Sequence, residues 1–281
     1  MAIDYEKEYN NRARVPEHVQ IFADWLRDSA ACCKERSDAE LGLSFGPSPK
    51  QIINFFPAKG DTGSAPLAVF IHGGWWRSLS PESFNHMAQG PNAQGVSVAV
   101  VGYDLCPQVS IAGILEQMRN ACLFLWRRRR QRMMVYGHSA GGHLTACLTA
   151  TNWKTLSPDA PDDLVPAGYA ISGVFDLAPL TQISVNEDLK LDEAEVRRLS
   201  PISWPVPAGR TLDAIVGALE SDEFLRQSRG IADAWQDKAQ TRYEAVAGTN
   251  HYTVIAPLAD PDSVMTKRVT ELARQAAGMK L

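Results

Sequence analysis

Residues 133–150 read Met133-Met134-Val135-Tyr136-Gly137-His138-Ser139-Ala140-Gly141-Gly142-His143-Leu144-Thr145-Ala146-Cys147-Leu148-Thr149-Ala150. The run Met133–Tyr136 is short and continuously apolar, which predicts a strand buried on both faces. Ala140–Ala150 predicts a helix. Between them, Gly137-His138-Ser139-Ala140-Gly141 fits G-x-S-x-G, and the flanking glycines permit a sharp strand-to-helix turn. Such a turn lifts the serine hydroxyl clear of the sheet and aims a helix N-terminus at whatever reacts there. Ser139 is therefore the candidate nucleophile. The alternative is a tight turn with a merely exposed serine.

Working upstream, Leu67–Ile71 is a second continuous apolar run, followed directly by His72-Gly73-Gly74-Trp75-Trp76. A tetrahedral intermediate needs backbone N–H donors aimed at its oxyanion, and glycines let the chain turn those donors inward. The N–H groups of Gly73, Gly74 and Ala140 are the candidate oxyanion hole.

A serine is a poor nucleophile without a base. Of the six histidines, His251 follows the last predicted strand in Gly248-Thr249-Asn250-His251. That places it at the C-terminal end of a parallel sheet, where ligand chemistry gathers. The others belong to the N-terminal helix (His18), the glycine motif (His72), the segment after it (His86) or the elbow itself (His138, His143). The acid that orients the base belongs in the loop after the strand Leu212–Val216. Glu220 comes first there, with Asp222 as its competitor and Glu223 behind them; Asp213 lies at the wrong end of the strand.

Beyond these stretches, apolar runs alternate with helical patterns along the chain: strands at 97–101, 167–172 and 242–246, helices at 111–130, 188–199, 222–238 and 261–277. This rhythm predicts an α/β fold, a mostly parallel central sheet with helices on both faces. We read 1–281 as one domain. It begins with an N-terminal helical segment, 1–45, in which 16–36 is amphipathic with Val19, Phe22, Ala23 and Leu26 on one face. Residues 51–57 read as an edge strand, and a cap insertion spans about 176–210. Trp75 and Trp76 follow the oxyanion glycines, Tyr103 ends the strand that begins at Ser97, and Trp204 lies in the cap region. At the mouth of a site such rings favour a flat aromatic substrate; packed inward, they are core.

Composition narrows the function. The 281 residues carry 28 Lys and Arg against 32 Asp and Glu, a net charge of −4, with 45% hydrophobic and 21% charged residues. That excludes disorder and argues against a nucleic-acid binder. The run Arg127–Arg130 with Arg132 reads as a helix end complementing its dipole. No apolar run reaches membrane-spanning length. The polar start MAIDYEKEYNNRARV does not read as a signal peptide, and the odd count of five cysteines without metal-like spacing reads as reduced thiols in the cytoplasm. P-loop, Rossmann and HExxH patterns are missing, so we expect neither cofactor nor metal. The expected partner is a small molecule, not nucleic acid or membrane, and a homodimer is left open.

These motifs resemble the α/β-hydrolase superfamily, in the branch near hormone-sensitive lipase and the kynurenine formamidases (arylformamidases). The resemblance runs from about Leu67 to His251. Three stretches tie it to the formamidases: His72–Trp76; Ser172-Gly173-Val174-Phe175-Asp176-Leu177-Ala178-Pro179-Leu180 running into Ser184-Val185-Asn186; and Glu220-Ser221-Asp222-Glu223-Phe224-Leu225-Arg226-Gln227-Ser228. The last is similar to the family's D-S-P-E-F-x-x-Q-S, so Glu220 stands where the family carries its catalytic aspartate. The resemblance implies substrate-side roles for Ser184 and Asn186. It implies a serine hydrolase for a small N-formyl arylamine or amide such as N-formylkynurenine. A carboxylesterase for short acyl or aryl esters is the alternative, and a non-catalytic small-molecule receptor a distant third.

Overall fold

The computed structural model describes residues 3–279. Its centre is an eight-stranded sheet of β1 (Glu40–Ser44), β2 (Ile52–Phe56), β3 (Leu67–Ile71), β4 (Ser97–Val101), β5 (Met133–His138), β6 (Ala167–Ile171), β7 (Thr211–Gly217) and β8 (Gln240–Val246). The order is β1-β2-β4-β3-β5-β6-β7-β8. β1 and β2 pair antiparallel, as do β2 and β4, and every pairing from β4 to β8 is parallel. β3, β4, β5 and β6 are buried at every position. That is why they read as unbroken apolar runs.

The helices are α1 (Tyr5–Tyr9), α2 (Asn11–Arg14), α3 (His18–Glu35), α4 (Gln89–Ala93), α5 (Ile111–Arg129), α6 (Ala140–Thr149), α7 (Trp153–Leu156), α8 (Asn186–Leu189), α9 (Glu193–Leu199), α10 (Asp222–Trp235) and α11 (Val264–Ala276). The chain leaves β3 toward β4 and leaves β5 toward β6, so the loops after these neighbouring strands diverge. The crevice between them is the position where open α/β sheets bind ligands.

Four expectations change. Residues 40–44, read within a helical segment, form β1. β2 is consequently interior, not an edge; β1, largely exposed, covers it. The signal was weak because β1 contains a bulge, where Gly42 (φ 71°) donates its N–H to Asn54 Oδ1 at 2.9 Å. The helix expected over 188–199 is two pieces, α8 and α9, separated by Lys190 in the left-handed region (φ 52°). Finally, α3 turns a different face inward. Val19 and Leu26 are exposed, while Trp25, Ser29 and Cys32 are buried. Ser29 Oγ accepts the Asn85 N–H at 3.0 Å and the Cys32 thiol donates to Asn85 O at 3.5 Å. Docking through hydrogen bonds is invisible to a hydrophobicity pattern.

The arginine run at the end of α5 is engaged within the fold. Arg128, Arg129, Arg130 and Arg132 meet Glu40, Asp61, Asp159 and Asp163. The Asp61 side chain is fully buried. Burial would raise its carboxyl, but the Ala65 N–H, Arg129, the Ser97 hydroxyl and the Gly63 N–H outweigh it and hold the group well below the usual carboxylate range. A carboxyl lowered in the folded state stabilises the fold above its unfolded pKa, about 3.9, and ceases to do so as pH falls through the folded value. We expect Asp61→Asn to cost about 3 kcal/mol at pH 7. The deficit should shrink below about pH 4, read by urea unfolding at pH 7 and pH 3.

Candidate active site

Ser139 joins β5 to α6 at φ 57° and ψ −116°, a conformation that a non-glycine residue holds only under constraint from its surroundings. The constraint is the close approach of β3. A Cβ on Gly141 would stand 2.0 Å from Ile71 O, so only glycine lets the turn lie against the end of that strand. The serine is 3% exposed, at the floor of a cavity of about 220 Å³.

His251 arrives from the loop after β8. Its Nδ1–H donates to Glu220 Oε2 at 2.6 Å, and its Nε2 accepts from the Ser139 hydroxyl at 3.1 Å. The donation to a carboxylate fixes the tautomer that leaves a lone pair facing Ser139. Glu220 follows β7, and its side chain folds back on its own turn. Oε1 accepts from Gly217 N–H at 2.7 Å and from the Ser172 hydroxyl at 2.5 Å. The extra methylene relative to aspartate is absorbed in that turn. Asp222 is exposed in the first turn of α10, and Glu223 binds Tyr9 and Arg226, so neither reaches the histidine.

Two contributors escaped the sequence reading. Ser172, after β6 and itself at φ 51°, supplies a hydroxyl that orients Glu220. Its stretch was noticed as a motif but carried no sign of that contact. His138 does point away from the serine hydroxyl, yet its Nε2–H donates to His251 O at 2.7 Å and pins the histidine's backbone. Burial, with His251 beside it, keeps His138 well below the ordinary histidine value and hence neutral, although its bond to the His251 carbonyl acts in the opposite sense. We expect Ser172→Ala to lower kcat about tenfold with KM unchanged, because one of three hydrogen bonds to the carboxylate is lost while the cavity wall is untouched. Steady-state kinetics on any substrate that is turned over checks this.

Gly73 and Gly74 follow β3 on the other side of the crevice. Gly74 has φ 106°, and a Cβ there would meet Ser78 O at 2.2 Å. Among the described residues, the N–H groups of Gly73, Gly74 and Ala140 donate to no protein acceptor. They are the candidate donors for a developing oxyanion. His72 is stacked on Tyr103 at 4.2 Å, and burial lowers it to about 4, so it too is neutral.

The residues expected to touch substrate divide. Trp75 and Ser184 line the cavity. Ser184 is already engaged, giving both its N–H and its hydroxyl to Glu6 at 2.7 Å each. The other four do not line it. Trp76 is fully buried, edge-on to His143 at 5.0 Å. Tyr103 is 2% exposed and donates to His72 O at 2.8 Å, bracing the glycine loop. Asn186 closes its own loop through Leu191 N and O. Trp204 donates to Arg198 O and packs against the cluster that contains Val206 and Ile231. Each faces another neighbour.

An unforeseen wall comes from the N-terminus. Glu6, Tyr9 and Arg12, from α1 and α2, line the cavity together with Phe22, Trp25 and Tyr252. Tyr9 is anchored by donating to Glu223 Oε2 at 3.0 Å and accepting from Gln227 Nε2 at 2.9 Å. Glu223 and Gln227 lie in the stretch that resembles the formamidase acid loop.

Sheet order, elbow and facing glycine loop define the class: the protein is a hydrolase of the α/β-hydrolase fold. The BD-FAE family model matches residues 53–199, just over half of the chain. A kynurenine formamidase of Salmo salar is 26% identical over 275 residues, covering 94% of this chain and 92% of its own. That of Drosophila melanogaster is 30% identical over 233 residues, covering 78% of this chain and 76% of its own. A crystal structure from Silicibacter sp. TM1040, of a protein provisionally described as a thioesterase, superposes with a TM-score of 0.88 at 28% identity, covering 96% of this chain and all of that one. The chain belongs to the BD-FAE family and is a homologue of kynurenine formamidases. Among the described residues no helix is long and apolar enough to cross a membrane.

Proposed function

We propose that this protein hydrolyses small aryl formamides, with N-formylkynurenine as the first substrate to test, through Ser139, His251 and Glu220. The observation that carries the reading is the line of hydrogen bonds Glu220–His251–Ser139 ending in a small cavity walled by Trp75, Tyr9, Phe22 and Tyr252. Likeness to kynurenine formamidases over more than nine-tenths of the chain favours the formamide over other acyl groups. The aromatic wall suits an aryl leaving group.

In this mechanism Ser139 Oγ attacks the formyl carbon as its proton passes to His251 Nε2. The N–H groups of Gly73, Gly74 and Ala140 hold the oxyanion, each worth roughly 3 kcal/mol in the transition state. Collapse breaks the C–N bond, and His251 delivers its proton to the leaving amine. Water, deprotonated by His251, then attacks the formyl-enzyme; formate departs and the proton returns to Ser139. Glu220 keeps the imidazole in register and stabilises its protonated form.

The segment α1–α2 and the connection between β6 and β7 together cap the cavity in this reading, with Ile183 and Val185 contributed by the latter. Five free cysteines fit a reducing, cytoplasmic setting.

The second reading, ester or thioester hydrolysis, uses the same machinery and is favoured by the Silicibacter neighbour. A panel of N-formylkynurenine, p-nitrophenyl acetate and a short acyl thioester separates them, with Ser139→Ala as the control. Formamide turnover with the highest kcat/KM supports the first reading. Turnover of ester or thioester alone overturns it.

A further inference from the structure

The cavity wall carries a cation that meets no carboxylate among the described residues. Arg77 on that wall pairs with Asp188 at 2.6 Å, and Arg14, two residues beyond Arg12, pairs with Glu8 at 3.9 Å. The wall carboxylate of Glu6 is held through both oxygens by Ser184. Arg12 pairs with no carboxylate among the described residues. Its guanidinium stands 6.0 Å from the centre of the Phe22 ring. It also reaches Tyr252, where its charge and a side-chain hydrogen bond oppose the burial that pushes this phenol up to about 12. Both rings line the same cavity as Ser139 and His251. Beside Arg12, Asn11 is 4% exposed, also lines the cavity, and has its Nδ2 buried without a partner. Two adjacent residues of α2 thus bring donors to one wall: among the described residues the Asn11 amide has no partner and the Arg12 guanidinium has no carboxylate.

Arg12 is solvent-exposed, yet it stands at the rim of an aromatic cavity with the neighbouring charges already engaged, where it presents a planar fork of donors matched to a carboxylate. We propose that Arg12 binds a carboxylate carried on the leaving-amine side of the substrate, which makes it the residue that distinguishes anionic from neutral aryl amides. The inference rests on the aryl formamidase reading, whose first substrate bears an amino-acid carboxylate on the side chain of its ring.

Titration calorimetry tests this without any turnover. Kynurenine and 2-aminoacetophenone share the aryl ketone and the amine; only kynurenine carries the amino-acid tail. The desamino analogue 4-(2-aminophenyl)-4-oxobutanoate keeps the carboxylate and lacks the ammonium. We expect the wild-type protein to bind both carboxylates about 10- to 100-fold more tightly than 2-aminoacetophenone, as for a hydrogen bond to a charged group. Arg12→Gln should bring that ratio to within about twofold, and Arg12→Lys should restore part of it. Because the readout is a ratio within one variant, a general loss of folding or affinity does not mimic the result. The proposal is overturned if kynurenine does not bind measurably, if the wild-type ratio is near one, if the desamino analogue loses the preference, or if Arg12→Gln leaves the ratio intact. Failure of N-formylkynurenine hydrolysis would overturn the formamidase reading instead, and is measured separately.

Discussion

Ser139→Ala is expected to keep the fold and to lose about six orders of magnitude in kcat, the scale seen when a member of a cooperating triad is deleted. Among the described residues the hydroxyl makes a single hydrogen bond, to His251 Nε2, so its removal leaves the packing around the turn unchanged. Thermal unfolding should move little. The backbone offers a second readout. At φ 57° and ψ −116° the residue stores strain that alanine retains and glycine relieves. Ser139→Gly should therefore be as inactive as Ser139→Ala and more stable by about 1 kcal/mol. Equal activity of wild type and Ser139→Ala would remove the serine from the chemistry altogether.

Glu220→Gln should cost about 10⁴-fold in kcat, with the protein still folded. The reason lies in the donors around the side chain. Gly217 N–H and the Ser172 hydroxyl both point at Oε1, and His251 Nδ1–H points at Oε2. A carboxylate accepts all three. A glutamine offers one acceptor oxygen and one NH₂ group, so one side must set donor against donor. If the oxygen stays with Gly217 and Ser172, the NH₂ group faces His251 and selects the tautomer with its proton on Nε2. That imidazole cannot take the serine's proton. Glu220→Asp keeps the charge but draws the carboxylate back by one methylene, and a displacement of about 1 Å costs roughly 10² in rate. Glutamine should thus be worse than aspartate. The order is measured by kcat on the best substrate of the panel. An aspartate variant as fast as wild type would show that the fold-back onto Gly217 is dispensable.

Much of this site was legible before any coordinates because its reasons are local. Ser139, Gly141 and Ala140 form a turn whose sterics depend on residues within a few positions, and Gly73–Gly74 follow a strand readable from five apolar residues in a row. His251 could be singled out by chain order and by its place after the last strand. Element boundaries within the parallel sheet were readable for the same reason: strands buried on both faces leave no ambiguity about which side faces in. Legibility fell where polar contacts set the packing. The α3 face chosen by hydrophobicity holds at Phe22 and fails at Val19 and Leu26, because Trp25 packs inward and Ser29 and Cys32 dock on the backbone of Asn85. β1 was missed because a bulge and an exposed edge erase its alternation.

The sequence by itself determined the chemistry available: a serine on an elbow, a late histidine, an acid after β7 and glycines after β3, in an order that only a parallel sheet brings to one edge. The tertiary structure alone decided which acid meets His251, which rings reach the cavity and what forms its outer wall. Glu220 and Asp222 are two residues apart and chemically alike; only the fold-back onto Gly217 N–H and the Ser172 hydroxyl separates them. Trp75 and Trp76 are adjacent, yet one lines the cavity and the other packs on His143. Arg12 stands over a hundred residues from the serine in the chain and beside the same cavity in space. These outcomes depend on distances between remote parts of the chain, to which a local pattern of residues is blind.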